Sequence, residues 1–129
     1  MKKYEDAIRD YLVERKWDQL RPGDLAKSIS IEAAELLELF QWTNASLEDV
    51  RADAEQIARI KSELADVFIY ALDMSVLLGL DTGELILEKL EKAKKKYPAE
   101  LFKDRDPGSD AGSEDIYWKI KRDSRMNGE

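Results

Sequence analysis

Two pairs of carboxylates, each at i, i+3 spacing, lie in a chain that has no histidine and no cysteine. Glu32 and Glu35 form one pair; Glu63 and Asp66 form the other. On a helix, side chains three positions apart point the same way, so each pair can grip one ion. An oxygen-only donor set is hard. It suits Mg²⁺, with Mn²⁺ as a substitute, and disfavours zinc or copper. Mg²⁺ keeps waters and shares oxygens with phosphate ligands, and bound ions can activate water for an in-line displacement at phosphorus. The alternative is that these acids face solvent or pair with lysine and arginine. The lack of histidine removes imidazole bases, haem ligation, most zinc catalysis and the usual Glu-x-x-His di-iron bundle. The lack of cysteine removes disulfides and thiolate chemistry.

The elements that must position these acids are helical. The stretch Ser28–Trp42 is rich in Ala, Leu and Glu and has no Gly or Pro, so it favours helix. At about 100° per residue, Ile29, Ala33, Leu36, Leu37, Leu39 and Phe40 share one broad face. Ile31, Ala34 and Trp42 add apolar surface elsewhere, which predicts a helix buried on most sides. Glu32 projects inside the apolar face, Glu35 roughly 60° further round and Glu38 roughly 60° beyond that. Glu38 is therefore a supporting or surface residue. The second acidic stretch is predicted to be apolar on most sides too. Glu63, Asp66 and Tyr70 make one stripe, continued by Met74 and Leu77. A lone buried carboxylate is costly, so two acid pairs on apolar helices predict one shared cation site.

Around this pair the chain reads as all-α, a bundle of four or five helices. A first helix is expected from Lys3 to Trp17, with Ala7, Ile8, Tyr11 and Leu12 as its stripe. Pro22-Gly23 marks a connection, and Asp24 is a candidate cap for the central helix to Trp42. Ser46-Leu47-Glu48-Asp49 resembles a capping box. The second acidic helix should end near Gly79. A further helix should start at Asp81 or Thr82 and stop before Pro98. Its closing lysines, Lys92, Lys94, Lys95 and Lys96, either complement the helix dipole or neutralise a polyphosphate. Residues 1–103 are expected to form the catalytic domain and residues 104–129 a polar tail. The stretch from Asp104 to Ser113 reads as a loop or linker. Ile116, Tyr117, Trp118 and Ile120 form an apolar island that docks on the body or reaches a neighbouring subunit. The 129 residues carry a formal net charge of −7, which argues against nucleic acid or an anionic membrane as partner. The start of the chain does not read as a signal peptide, and no apolar run is long enough to span a membrane. A soluble, cytoplasmic protein is expected. The surplus apolar surface of the acidic helices predicts a homo-oligomer, at least a dimer.

The segments Glu32-Ala33-Ala34-Glu35-Leu36-Leu37-Glu38-Leu39-Phe40-Gln41-Trp42, Glu63-Leu64-Ala65-Asp66-Val67-Phe68-Ile69-Tyr70 and Lys94-Lys95-Lys96-Tyr97-Pro98 resemble the MazG-like nucleotide pyrophosphohydrolases. The branch most similar is that of the dCTP pyrophosphatases and integron-type MazG proteins. The resemblance runs from about Tyr4 to Phe102. It implies an all-α fold, a homodimer or homotetramer, and Mg²⁺-dependent hydrolysis of nucleoside triphosphates to the monophosphate and pyrophosphate, in the service of nucleotide house-cleaning. It implies Glu32, Glu35, Glu63 and Asp66 as metal ligands and Trp17, Trp42 and Tyr70 as aromatic residues of the nucleotide pocket. Lys94 and Lys96 fall in the matching basic segment. Two positions depart from the dCTP-selective members: Ile8 stands where they carry a histidine and Ala93 where they carry an asparagine, so dCTP selectivity is not implied. The rival readings are a non-catalytic helical interaction protein with a structural cation site, and a phosphoribosyl-ATP pyrophosphatase-like reaction.

Overall fold

The computed structural model describes residues 1–103 and 113–129. Among the described residues there are six α-helices, one short 3-10 helix and no strand, so the fold is all-α. The helices are α1 (Lys2–Glu14), α2 (Pro22–Glu38), α3 (Leu47–Ala52), α4 (Ala54–Leu77), α5 (Thr82–Lys96) and α6 (Ser113–Met126). The 3-10 helix is Ala99–Phe102. The chain divides into two compact units, Met1–Gly83 and Glu84–Glu129. The linker expected from Asp104 to Ser113 lies outside the described residues up to its last position.

In the first unit α4 is the hub. It packs mainly against α2, then against α1, and α3 lies on it as well. Leu12 from α1, Leu25 from α2 and Val76 from α4 form the buried apolar core. Caps fix where the helices start. Ser46 accepts from the Asp49 amide at 3.1 Å and opens α3. Asp53 ends α3, and its carboxylate accepts from the Gln56 amide at 3.0 Å to open α4. Gly79 ends α4 in the left-handed region, at φ 67°. There the Leu80 amide bonds the Ser75 carbonyl and the Gly79 amide bonds the Val76 carbonyl, the paired closure expected of a glycine cap.

Three boundaries differ from the sequence expectation. The central helix begins at Pro22, with Arg21 as its N-cap, because proline is preset for the first helical position and needs no amide partner there. Asp24 sits in the first turn and pairs with Lys27 instead of capping. The same helix stops at Glu38 instead of Trp42. Its end tightens as the Phe40 amide bonds the Leu37 carbonyl at 2.9 Å, an i→i+3 bond that unwinds the α-helical register. The first helix ends at Glu14, because Lys16 takes a left-handed φ of 59° and turns the chain.

Burial also corrects an expectation. The acidic helices are not covered on most sides within this chain. Ile31 is 57% exposed, Leu37 65%, Phe68 59% and Trp42 87%. Once α1, α2 and α4 have packed on one another, the first unit has only the six-residue α3 left, too short to cover the outward faces of α2 and α4.

A polar clasp joins α1, the end of α4 and the start of α5. The buried hydroxyls of Ser75 and Thr82 lie 2.6 Å apart, and the Thr82 amide donates to the Glu5 carboxylate at 2.8 Å. The Thr82 hydroxyl also bonds Glu5, and these two bonds hold the Glu5 carboxyl below its usual range. A carboxylate only accepts, so Thr82 donates to it and Ser75 donates to Thr82. In the second unit, Tyr97 and Tyr117 stack at 5.2 Å and 16° between planes. The island residue Tyr117 thus rests on the aromatic ring that follows α5.

Candidate active site

Helix α2 presents Glu32, and α4 presents Glu63 and Asp66 from one stripe. All three are half-buried, and one carboxylate oxygen from each lies within 4.8 Å of the others. Burial pushes the Glu32 carboxyl above its usual range; repulsion from Glu35, a hydrogen bond with Glu35, and repulsion from Asp66 and Glu63 push the same way. Loss of hydration and the neighbouring like charges both disfavour the ionised form of Glu32. Hard oxygen donors within 4.8 Å of one another, able to converge on one ion, fit a divalent cation. Glu35 stands outside this trio, exposed, and reaches it through Glu32.

A cavity of about 640 Å³ opens next to the trio, and Asp66 lines it. Trp17, Tyr11, Ile8, Tyr70 and Asp73 line it as well. Trp17 gets there through the turn after α1. The left-handed Lys16 lets the Trp17 amide bond the Leu12 carbonyl at 2.8 Å, which folds the indole back onto α1. The indole then meets the Tyr11 ring edge-on, at 5.8 Å and 71°. Tyr70 follows Asp66 by one turn of α4. Burial first, then Glu32, Asp73 and Asp66, raise its phenol pKa, so it keeps its proton as a donor.

The structure therefore brings together Glu32, Glu63, Asp66, Trp17 and Tyr70, with Glu35 attached through Glu32. Trp42 lies beyond the end of α2, almost fully exposed, and does not line this cavity. Glu38 is exposed and lines a separate hollow with Leu39, Thr43 and Arg59. Lys94 pairs with Glu91 at 2.6 Å within α5, and the Lys96 ammonium lies 5.6 Å from the Tyr97 ring centre. Both belong to the second unit. Sequence reasoning passes over Asp73 and counts Tyr11 as ordinary core. The signal for Asp73 was an acid at i+7 from Asp66 and i+3 from Tyr70, inside the apolar run that follows Asp66.

A family model described as the MazG-like family matches residues 27–107, the stretch that carries all four acids. The chain belongs to the MazG-like family. Human dCTP pyrophosphatase 1 is 31% identical over 94 residues, which is 71% of this chain and 55% of that protein. The mouse protein of the same name is 29% identical over the same length. This MazG-like chain spans about half the length of the curated relatives it matches. The crystal structure of a pyrophosphatase from Archaeoglobus fulgidus superposes with a TM-score of 0.66, at 38% identity, over 76% of this chain and 92% of that one.

Proposed function

We propose that this MazG-like chain is a Mg²⁺-dependent hydrolase that converts nucleoside or deoxynucleoside triphosphates to the monophosphate and pyrophosphate, clearing unwanted nucleotides in the cytoplasm. The observation that carries this reading is the position of Asp66. It belongs both to the acid trio and to the wall of an aromatic-lined cavity large enough for a nucleoside. Ligand pockets of this kind are typically 300–1,000 Å³. The dCTP pyrophosphatase and pyrophosphatase relatives support the same chemistry.

In this reading Glu32, Glu63 and Asp66, with Glu35 beside them, hold Mg²⁺. When bound, the ion supplies water activation and neutralisation of the polyphosphate charge. The chain's own residues do the rest. Glu35, beside Glu32, would take the proton released as water attacks phosphorus and the phosphoanhydride bond breaks. Trp17 and Tyr70 bracket the nucleoside and exclude water from it. Trp42, Lys94 and Lys96 complete the substrate contacts in the assembled oligomer, a homodimer or homotetramer that covers Ile31, Leu37 and Phe68. Residues 1–103 constitute the catalytic domain, and residues 104–129 are an appended tail. Among the described residues no helix is long and apolar enough to cross a membrane. The test is incubation with a panel of NTPs and dNTPs plus Mg²⁺, assaying pyrophosphate and monophosphate together. Release of both in equal amounts is expected; no release from any triphosphate would overturn the proposal.

A further inference from the structure

Asp73 lines the cavity, has no place in the chemistry at phosphorus and, unlike Asp24 in the same lining, which pairs with Lys27, has no ion-pair partner among the described residues. It is 3% exposed, and its Oδ1 is buried without a hydrogen-bond partner. No residue that lines the cavity brings a positive charge to it. A buried carboxyl left unsatisfied costs stability. Such a group persists where something that enters the cavity completes it.

Its position narrows what that something is. Asp66 and Asp73 lie on one face of α4 and line the same cavity. Seven residues of helix set them about 10 Å apart along the axis, at 1.5 Å per residue. That separation is comparable to the reach of a nucleotide from its 5′ phosphate to the far edge of its base. With the phosphates at Asp66 and the sugar and ring beside Tyr70 and Trp17, the edge of the base arrives at Asp73. Ile8, which lines the same wall, offers no polar atom to read it.

We propose that Asp73 is the base-reading residue of this site and selects nucleobases that carry an exocyclic amine over those that carry a carbonyl at the same place. This rests on the nucleotide-hydrolase reading above. An amino-bearing edge satisfies Asp73 in either protonation state. The ionised carboxylate accepts from the amine; the protonated acid accepts from the amine and donates to the adjacent ring nitrogen. A 4-oxo pyrimidine keeps its ring N3–H to give but sets a carbonyl oxygen against the ionised form where the amino base brings a donor, and it pairs through both positions only with the protonated acid. Burial raises the Asp73 carboxyl pKa, which narrows the difference between bases without removing it.

The test compares dCTP with dUTP, which differ only in the 4-amino and 4-oxo groups. The ratio of their kcat/KM values is measured in the wild type, Asp73→Asn and Asp73→Ala. The ratio is internal to each preparation, so a partly folded variant still reports it. Binding of dCMP and dUMP by calorimetry is measured alongside. Wild type should favour the amino substrate by about tenfold or more, since a site built to bond a polar group rejects the analogue that leaves it unpaired. Asparagine can turn its amide to serve either edge, so Asp73→Asn should bring the ratio close to one, and alanine should do the same. A wild-type ratio near one, or a preference that survives both substitutions, overturns the assignment. If no triphosphate is hydrolysed, the hydrolase reading falls. The monophosphate binding ratio then decides the role of Asp73 by the same two criteria.

Discussion

Asp66 touches both halves of the proposed chemistry, and Glu35 touches the acid trio only through Glu32. Neutral amides keep the shape of both side chains but bind Mg²⁺ poorly. Asp66→Asn and Glu35→Gln should each lower kcat by about a hundredfold or more, read as pyrophosphate release at saturating substrate. Near-normal turnover in both variants would reject the site. Glu32 carries a second prediction, in its pH dependence. Its folded pKa lies above the usual 4.5, so in the window above that value the folded form holds a proton that the unfolded form has lost. The stabilising contribution is full below pH 4.5 and fades as pH rises through the folded value. Glu32→Gln removes this dependence. In EDTA, the stability of the variant relative to wild type should rise between pH 4 and pH 7, measured by denaturant unfolding. A flat difference would mean that the carboxyl is already compensated by a cation of the protein.

At the scale of the element, the turn after α1 does more for the cavity than any helix boundary. Lys16 holds a left-handed φ of 59° so that Trp17 can fold back. An L residue in that region costs about 1–2 kcal/mol, which glycine escapes, offset in part by the flexibility glycine adds to the unfolded chain. Lys16→Gly should therefore stabilise the protein by up to about 1 kcal/mol and leave the Trp17 fluorescence maximum unmoved; destabilisation would show that the lysine side chain holds the turn. The clasp at the other end of α1 gives the opposite sign. Thr82→Val strands the buried Ser75 hydroxyl and takes a donor from Glu5, and should cost about 1–3 kcal/mol in a thermal melt. These two features also show what sequence discloses. Ser46 as a cap and Gly79 as a stop follow from local rules, and each is where those rules put it; the acid spacing brings Glu32, Glu63 and Asp66 near one another but leaves Glu35 outside, and the apolar pattern overstates how far the acidic helices are covered. The left-handed lysine and the early end of α2 were not legible, because lysine carries no signal for positive φ and the last turn of α2 is decided by competing i→i+3 bonds. Asp73 was masked by its surroundings: an acid in an apolar run has meaning only once the cavity it faces is known.

For the molecule as a whole, the exposed apolar faces of α2 and α4 and the clustered acid trio pull in different directions. The first calls for a partner surface and the second for a cation. Replacing an exposed anchor such as Phe68 by glutamate puts a charge into any interface built on α4, so Phe68→Glu should shift the mass seen by light scattering from oligomer to monomer at micromolar concentration. A wild-type monomer would refute the assembly. The cation argument reaches the fold itself. Carboxylates that converge in a partly desolvated site repel one another, and Mg²⁺ that binds only the folded form relieves that repulsion. At a hundredfold excess over its dissociation constant such an ion stabilises the fold by about 2.7 kcal/mol. For a chain of this size each kcal/mol moves the melting temperature by about 3–5 °C, so millimolar Mg²⁺ should raise Tm by about 10 °C over EDTA at fixed protein concentration. Glu32→Gln should melt higher than wild type in EDTA and gain less from Mg²⁺, because it removes one repelling charge and one ligand together. If Mg²⁺ leaves the wild-type melt unmoved and the variant is the less stable of the two in EDTA, the trio is held by cationic side chains and the metal-dependent chemistry loses its basis.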